Sequence, residues 1–356
     1  DVKASRGLGD VYKRQLLMEN SKIISNDKYL DFKDVLVLPQ FSSVNSRSLV
    51  NLEKSLNFKN GETWKGIPIV AANMTTTGTF EIYNVLSKYK IITAFHKFYK
   101  LSDYQDYINI NTSLNPDYFM VSTGIGDSDF NNLADILSKI ECKFICIDIA
   151  NGYIENFYNF CSKVRQAYPD KIIVAGNVIT SEAVEKLAKI GIDIVKMGIG
   201  PGSACTTRIQ TGIGMPQLSC ILNSINIAKE NGILLLSDGG ITCPGDCVKA
   251  YVAGADIVMI GGELSGHDEN PGSIIEEMGN KYKLFYGMSS QYAMNNNYNT
   301  QKSYRSSEGR VLKVKYKGPL DKTIENYLGG IRSACTYTNS KNIENLSSNG
   351  TVSYTH

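Results

Sequence analysis

The 356-residue chain has no apolar run near the roughly 18–20 residues a membrane-spanning helix needs, so none is expected. It has no block of like charge either. Lysines and arginines number 37 against 35 aspartates and glutamates, for a formal net charge of +2, which excludes the basic footprint of a nucleic-acid or anionic-membrane binder. No secretory leader is visible. There are only three histidines, His96, His267 and His356. Cys243 and Cys247 lack a second cysteine pair at finger spacing, so a structural zinc is not expected. The eight cysteines are scattered, several of them in apolar runs, and a chain of this length needs no disulfide framework. The reading is therefore a reducing, cytoplasmic setting. No Ser/His/Asp set accompanies the candidate nucleophile described below, so protease-type acyl transfer is excluded. Residues 1–15, ending Val11-Tyr12-Lys13-Arg14-Gln15, and residues 350–356 carry no periodic pattern; they read as a non-native leader and tail flanking a single domain over 16–345.

What the chain does have is one unit repeated eight times. Short apolar, β-branched runs stand at Ile67–Ala71, Ile91–Phe95, Phe119–Ser122, Phe144–Ile149, Ile172–Ala175, Ile192–Met197, Ile233–Leu236 and Ile257–Ile260. Continuous runs of this kind suit strands buried on both faces of a parallel sheet. Segments of helical spacing such as Leu133–Ile140, Glu182–Ile190 and Leu218–Lys229 lie between them and can serve as crossover helices. Eight such units predict an α/β fold, a closed (β/α)₈ TIM barrel of one domain. Residues 263–310 break the pattern. They are polar, rich in asparagine and without a period, and they read as a long mobile flap that leaves strand eight and covers the active face. Lys313, Lys315 and Lys317 alternate, as the solvent face of a strand would.

The polar and glycine-rich clusters all follow strands. They are Asn73-Met74, Ser122-Thr123-Gly124, Asp148 with Asn151-Gly152, Gly176-Asn177, Gly198 to Arg208, Ser237 to Gly240, and Gly261-Gly262. In a barrel they converge on the C-terminal face, where active sites are built. The turns after strands seven and eight suit a phosphate, since bare backbone N–H groups approach its oxygens there, while Asp238 suits ribose hydroxyls. The most specific stretch is Gly198-Ile199-Gly200-Pro201-Gly202-Ser203-Ala204-Cys205-Thr206-Thr207-Arg208. Cys205 leaves this tight loop among polar neighbours. A thiolate near Arg208 and clustered N–H groups would have a lowered pKa, which makes Cys205 a candidate nucleophile.

This loop resembles the cysteine loop of the IMP dehydrogenase/GMP reductase family. The resemblance runs from about Phe32 to about Tyr337 and includes Phe32-Lys33-Asp34-Val35-Leu36, Cys146-Ile147-Asp148 and Leu284 to Ser290. Three features point to the reductase branch. The stretch from Phe95 to Phe119 leaves no room for the dehydrogenases' regulatory module; Tyr286-Gly287-Met288-Ser289-Ser290 has the reductase form; and Tyr304-Arg305-Ser306-Ser307-Glu308-Gly309 resembles the reductase flap. The Arg-Tyr pair that activates water in dehydrogenases has no counterpart. The alternatives are a dehydrogenase lacking its regulatory module and a non-catalytic purine-nucleotide-binding barrel.

The resemblance implies NADPH-dependent reductive deamination of GMP to IMP and ammonia through a covalent cysteine thioimidate, in purine salvage. Cys205 would be the nucleophile, with Thr207 and Glu308 in proton transfer. GMP would contact Ser203, Asp238, Gly240, Gly261, Gly262, Gly287, Met288, Ser289, Arg305 and Gly309. NADPH would contact Lys97, Asp148, Asn151, Gly152 and Tyr304, with Ser46, Arg47, Ser333, Ala334, Cys335 and Thr336 from a neighbouring subunit of a homotetramer. Carbonyls of Gly200, Gly202 and Cys205 would hold a monovalent cation, potassium. Two residues depart from the family pattern: Thr75 stands where aspartate is usual, and Met215 replaces a common aromatic.

Overall fold

A computed structural model of the chain describes residues 28–111, 113–298 and 307–355. Its centre is a closed barrel of eight parallel strands: β1 (Ile69–Ala71), β2 (Ile92–Ala94), β3 (Phe119–Thr123), β4 (Phe144–Asp148), β5 (Ile172–Val178), β6 (Ile194–Met197), β7 (Leu234–Asp238) and β8 (Ile257–Ile260). Neighbours in sequence are neighbours in space, and β8 closes on β1 with Met259 beside Val70. Each strand is followed by a helix: α1 (Phe80–Leu86), α2 (Leu101–Ile110), α3 (Asp127–Leu137), α4 (Glu155–Ala167), α5 (Ser181–Ile190), α6 (Gln217–Glu230), α7 (Pro244–Val252) and α8 (Asp321–Tyr337). Thr79 and Thr180 cap α1 and α5, each accepting a backbone N–H of the first turn, as N-cap hydroxyls do. Among the described residues no helix is long and apolar enough to cross a membrane.

The eight strands coincide with the eight apolar runs of the sequence. Their side chains alternate between two hydrophobic clusters, as the two-residue period of a strand requires. Ile145, Ile147, Ile173 and Val195 face the helices. Phe144, Cys146, Ile172, Val174 and Ile194 fill the barrel. An antiparallel hairpin of strands Lys54–Asn57 and Thr63–Gly66 belongs to the interior cluster through Leu56 and Trp64.

Two segments differ from the sequence reading. The region after β8 is not an irregular loop throughout. It contains β9 (Ile275–Glu277) and β10 (Asn280–Tyr286), which form an antiparallel sheet with β11 (Val311–Lys315), and a helix over Gln291–Tyr298. Antiparallel strands that pack on one face only are short and polar outside, so no long apolar run announces them; Lys313 and Lys315 do lie on an exposed face. The second segment is the end of the chain. Val352–Tyr354 pairs with Val35–Val37, and the Thr355 N–H donates to the Asp34 carbonyl. Residues 1–15 lie outside the described residues.

Candidate active site

Strand parity builds the centre of the site. In β4 the inward series Phe144, Cys146 continues to Asp148. In β6 Ile194 is followed inward by Lys196, and in β7 Leu236 is followed by Asp238. One rung of the barrel aligns Asp148, Gly176 and Lys196 across β4, β5 and β6. Gly176 carries no side chain, and a Cβ there would sit 2.6 Å from that of Lys196. Lys196 Nζ donates to Asp148 Oδ1 at 2.7 Å and to Asp238 Oδ2 at 2.9 Å. Burial alone would depress the ammonium's pKa, but the two carboxylates outweigh it and the net shift is upward. Burial pushes Asp148 up, and the charges of Lys196 and then Lys97 more than reverse it, so it stays below the usual carboxylate range. Asn177 Nδ2 donates to Asp238 Oδ2 at 2.8 Å and to the Gly198 carbonyl at 2.6 Å, tying this network to the cysteine loop.

The cysteine loop follows β6. Gly198 and Gly200 have φ of +142° and +88°, a region that costs a residue with a Cβ. A Cβ at Gly198 would also stand 2.2 Å from the Asp238 carbonyl. Arg208 pairs with Asp31 at 3.3 Å, donates to the Met215 carbonyl, and lies against Gly200 and Gly214. It braces the loop from behind, a role that the sequence reading of a cation for the thiolate did not include.

Residues 308–310 zip onto the loop from the flap side. Cys205 and Gly309 form an antiparallel bridge, and the Thr206 N–H donates to the Glu308 carbonyl at 2.8 Å. Arg310 donates twice to the Ser203 carbonyl, at 3.0 and 2.8 Å. The pairing brings three side chains into a chain of hydrogen bonds. Cys205 Sγ donates to Thr207 Oγ1 at 3.3 Å, and Thr207 Oγ1 donates to Glu308 Oε2 at 2.7 Å. Sequence distance hides this relay, since Thr207 and Glu308 are 101 residues apart.

A cavity of about 930 Å³ opens at the C-terminal mouth, at the upper end of the range for ligand sites. Cys205, Thr207 and Glu308 line it, as do Ser203, Asp238 and Gly240. Gly261 and Gly262 form its floor near β8, with Gly287, Met288 and Ser289 from the flap base. Gly200, Gly202, Lys97, Asp148 and Asn151 line it too. Other sequence candidates do not line it. Gly152 packs under Asn177, where a Cβ would meet the carbonyl at 2.5 Å, and Gly309 sits in the seam against Ser290. Ser122 and Thr123 are buried in β3. Ser46 and Arg47 begin a short 3₁₀ turn that packs against α8, the helix of Ser333, Ala334, Cys335 and Thr336. The two groups thus share one surface away from this cavity, although the Cys335 side chain itself is fully buried. Tyr304 and Arg305 lie outside the described residues.

Sequence reading missed Lys196 and Arg310 as functional candidates, while Asn73 and Asn177 belong to the polar clusters it placed on the active face. The signal for Lys196 was present: a lone lysine in an apolar run, on the inward parity shared by two strand-end carboxylates. Thr75, one of the two departures, reaches Tyr286 Oη with its hydroxyl at 3.3 Å, and its N–H points to Met288 Sδ at 3.4 Å.

Comparison with known proteins accords with this architecture. Residues 29–355 match the model of the IMP dehydrogenase / GMP reductase domain. Proteins named GMP reductase from Salmonella arizonae and Salmonella typhi are each 48% identical over 325 residues, 91% of this chain and 94% of theirs. The barrel, its cysteine loop and these matches make the chain a member of the IMP dehydrogenase/GMP reductase family of oxidoreductases.

Proposed function

We propose that the protein is a GMP reductase that converts GMP to IMP and ammonia with NADPH, as a homotetramer in the cytoplasm. The observation that carries this reading is the Cys205–Thr207–Glu308 relay at the mouth of a nucleotide-sized cavity. A dehydrogenase must activate water with a base, whereas deamination must deliver a proton to a leaving amine. A carboxylate that accepts from a hydroxyl beside the nucleophile suits the second task.

In this reading the phosphate lies on backbone N–H groups near Gly240 and Gly262, and Asp238 accepts from the ribose. Cys205 Sγ bonds to C2 of the purine while its proton passes to Thr207 and Glu308. The relay returns a proton to the 2-amino group, the C2–N bond breaks and ammonia departs, leaving a thioimidate on Cys205. The dinucleotide, when bound, supplies the hydride to C2. The C2–S bond then breaks and releases IMP and the Cys205 thiolate, which takes up a proton from water to restore the thiol.

Two observations fit the dinucleotide to the lobe beyond the purine. Lys97 and Asn151 flank Asp148 there, and the shared surface of Ser46, Arg47 and Ser333 to Thr336 is bordered by exposed Phe41, Leu49 and Tyr337, apolar side chains that a neighbouring subunit would cover. The cysteine loop also fits a monovalent cation. Among the described residues the Gly200 and Cys205 carbonyls accept from no protein donor, and the Gly202 carbonyl accepts only from the Cys205 N–H. Most of the cysteines are free and buried, which agrees with a reducing compartment.

The test is NADPH absorbance with purified protein, GMP and potassium, set beside NAD⁺ with IMP. NADPH loss that requires GMP and disappears in Cys205→Ala is the expected result. NADH formation from IMP would replace this reading with a dehydrogenase, and silence in both arms would leave a binding-only barrel.

A further inference from the structure

The charged network that lines the cavity contains one group that the proposed reaction does not use. Lys196 has a side chain only 4% exposed and reaches neither the cysteine relay nor the flap. Its ammonium stands between two carboxylates from different strands, Asp148 on β4 and Asp238 on β7. The other titratable groups acting here are Cys146 on β4, which lies below Asp148, and Lys97 after β2, which acts on Asp148 from across the mouth. Gly176, between β4 and β6 in the same rung, leaves the space through which Lys196 reaches across β5.

The consequence for Asp238 is directional. Its Oδ2 accepts from both Lys196 and Asn177. No protein donor among the described residues takes Oδ1, and Asp238 lines the cavity. One oxygen is held, and the other is offered to a ligand. Asp148 also accepts from Lys196 on its Oδ1, and the Asn73 side chain acts on the same carboxylate.

The geometry points to Lys196 as the positioning residue of the nucleotide site: it orients Asp238 toward the sugar hydroxyls of the substrate and holds Asp148 and Asp238 together as a charged pair across the barrel mouth. This rests on the reading of the cavity as a GMP site. Lys196 bonds to Asp148 and Asp238 and to none of Cys205, Thr207 and Glu308, so its removal is expected to weaken nucleotide binding more than it slows turnover. Without the ammonium, two carboxylates face each other in a partly buried place, and breaking a buried pair by removing one partner is far more damaging than replacing the whole set. The damage therefore depends on Asp148 and is reversible through it.

The experiment is calorimetric titration of the full-length protein with GMP in the absence of dinucleotide, together with steady-state kinetics. Lys196→Met is expected to weaken GMP binding by about 100-fold while kcat at saturating GMP falls less than about tenfold. Adding Asp148→Asn to Lys196→Met removes the opposing carboxylate and is expected to recover at least about tenfold of the lost binding. A residue that merely filled space would show no such recovery. Lys196→Arg, which keeps the charge, is expected to hold binding within about tenfold, and it serves as the deciding variant if Lys196→Met does not fold. GMP binding by Lys196→Met within about threefold of the unaltered protein, or a double variant no better than the single, would overturn the inference while leaving the reductase reading intact. An unaltered protein that binds no GMP would overturn both.

Discussion

The proposed proton path depends on two hydrogen bonds in series, from Cys205 Sγ to Thr207 Oγ1 and from Thr207 Oγ1 to Glu308 Oε2. A hydroxyl in the middle both accepts and donates, so the two outer groups are coupled only while it is present. Thr207→Val keeps the shape and removes the hydroxyl; Glu308→Gln keeps an acceptor oxygen and removes the carboxylate that can take up and release a proton. Each is expected to lower kcat by about 10²–10⁴ with a modest change in KM for GMP. Groups that act as one unit lose their effect once, so the double variant should be little slower than the worse single one. Losses that multiply in the double variant would show that the two side chains act separately. Cys205, the proposed nucleophile, stood out in sequence because glycines and polar residues isolate it from any apolar stripe. Its partner was legible only through resemblance, since nothing local at residue 308 announces a contact 101 residues back. Lys196 escaped notice for the opposite reason: it sits inside a strand run whose apolar neighbours mask a side chain that pairs only with other strands.

At the scale of elements, the active site is a seam between a rigid barrel loop and the antiparallel sheet of the flap. The seam is tight. A Cβ at Gly287 would stand 2.7 Å from the Ala204 carbonyl and 3.1 Å from Gly309 Cα, all backbone atoms that cannot swing aside. Gly287→Ala must therefore push the end of β10 away from the cysteine loop, and Glu308 away from Thr207. The expected outcome is a fall in kcat of about tenfold or more, with a change in Tm of only about 1–3 °C, because the flap contributes little to the barrel core. Kinetics and circular-dichroism melting check it; full activity in Gly287→Ala would mean that the seam does not set the relay. Barrel strands were readable from sequence because burial on both faces makes a continuous apolar run, although the run Ile172–Ala175 stops short of the strand's end at Val178. The flap strands were not, because β10 opens on two exposed residues and then alternates half-buried with buried ones, Lys283 among the buried, while β9 spans only three residues. Such segments owe their form to pairing with distant β11 rather than to their own composition.

The whole molecule separates stability from chemistry along the barrel axis. The carboxylates, the lysine and the cysteine lie at the strands' C-terminal ends, whereas the hairpin carrying Trp64 packs on the inward side chains near the strands' N-terminal ends. Trp64 is 2% exposed, meets Phe144 edge-on at 6.4 Å and donates its indole N–H to the Asp117 carbonyl at 2.8 Å. Trp64→Ala leaves a large void and an unmatched carbonyl, a loss of about 3–5 kcal/mol, or about 5–10 °C in Tm for a protein of this size. The same substitution should leave kcat/KM for GMP within about twofold below the melting range, since Trp64 touches no group of the C-terminal mouth. Ligand linkage sharpens the separation. GMP at about 100 times its Kd raises stability by about 2.7 kcal/mol whenever the site is intact, so the GMP-induced rise in Tm should match in Trp64→Ala and the unaltered protein. A smaller rise in the variant would mean that the two mouths are mechanically coupled through the barrel interior, and that the packing of Phe144, two residues below Cys146 and four below Asp148 on β4, helps set the nucleotide site.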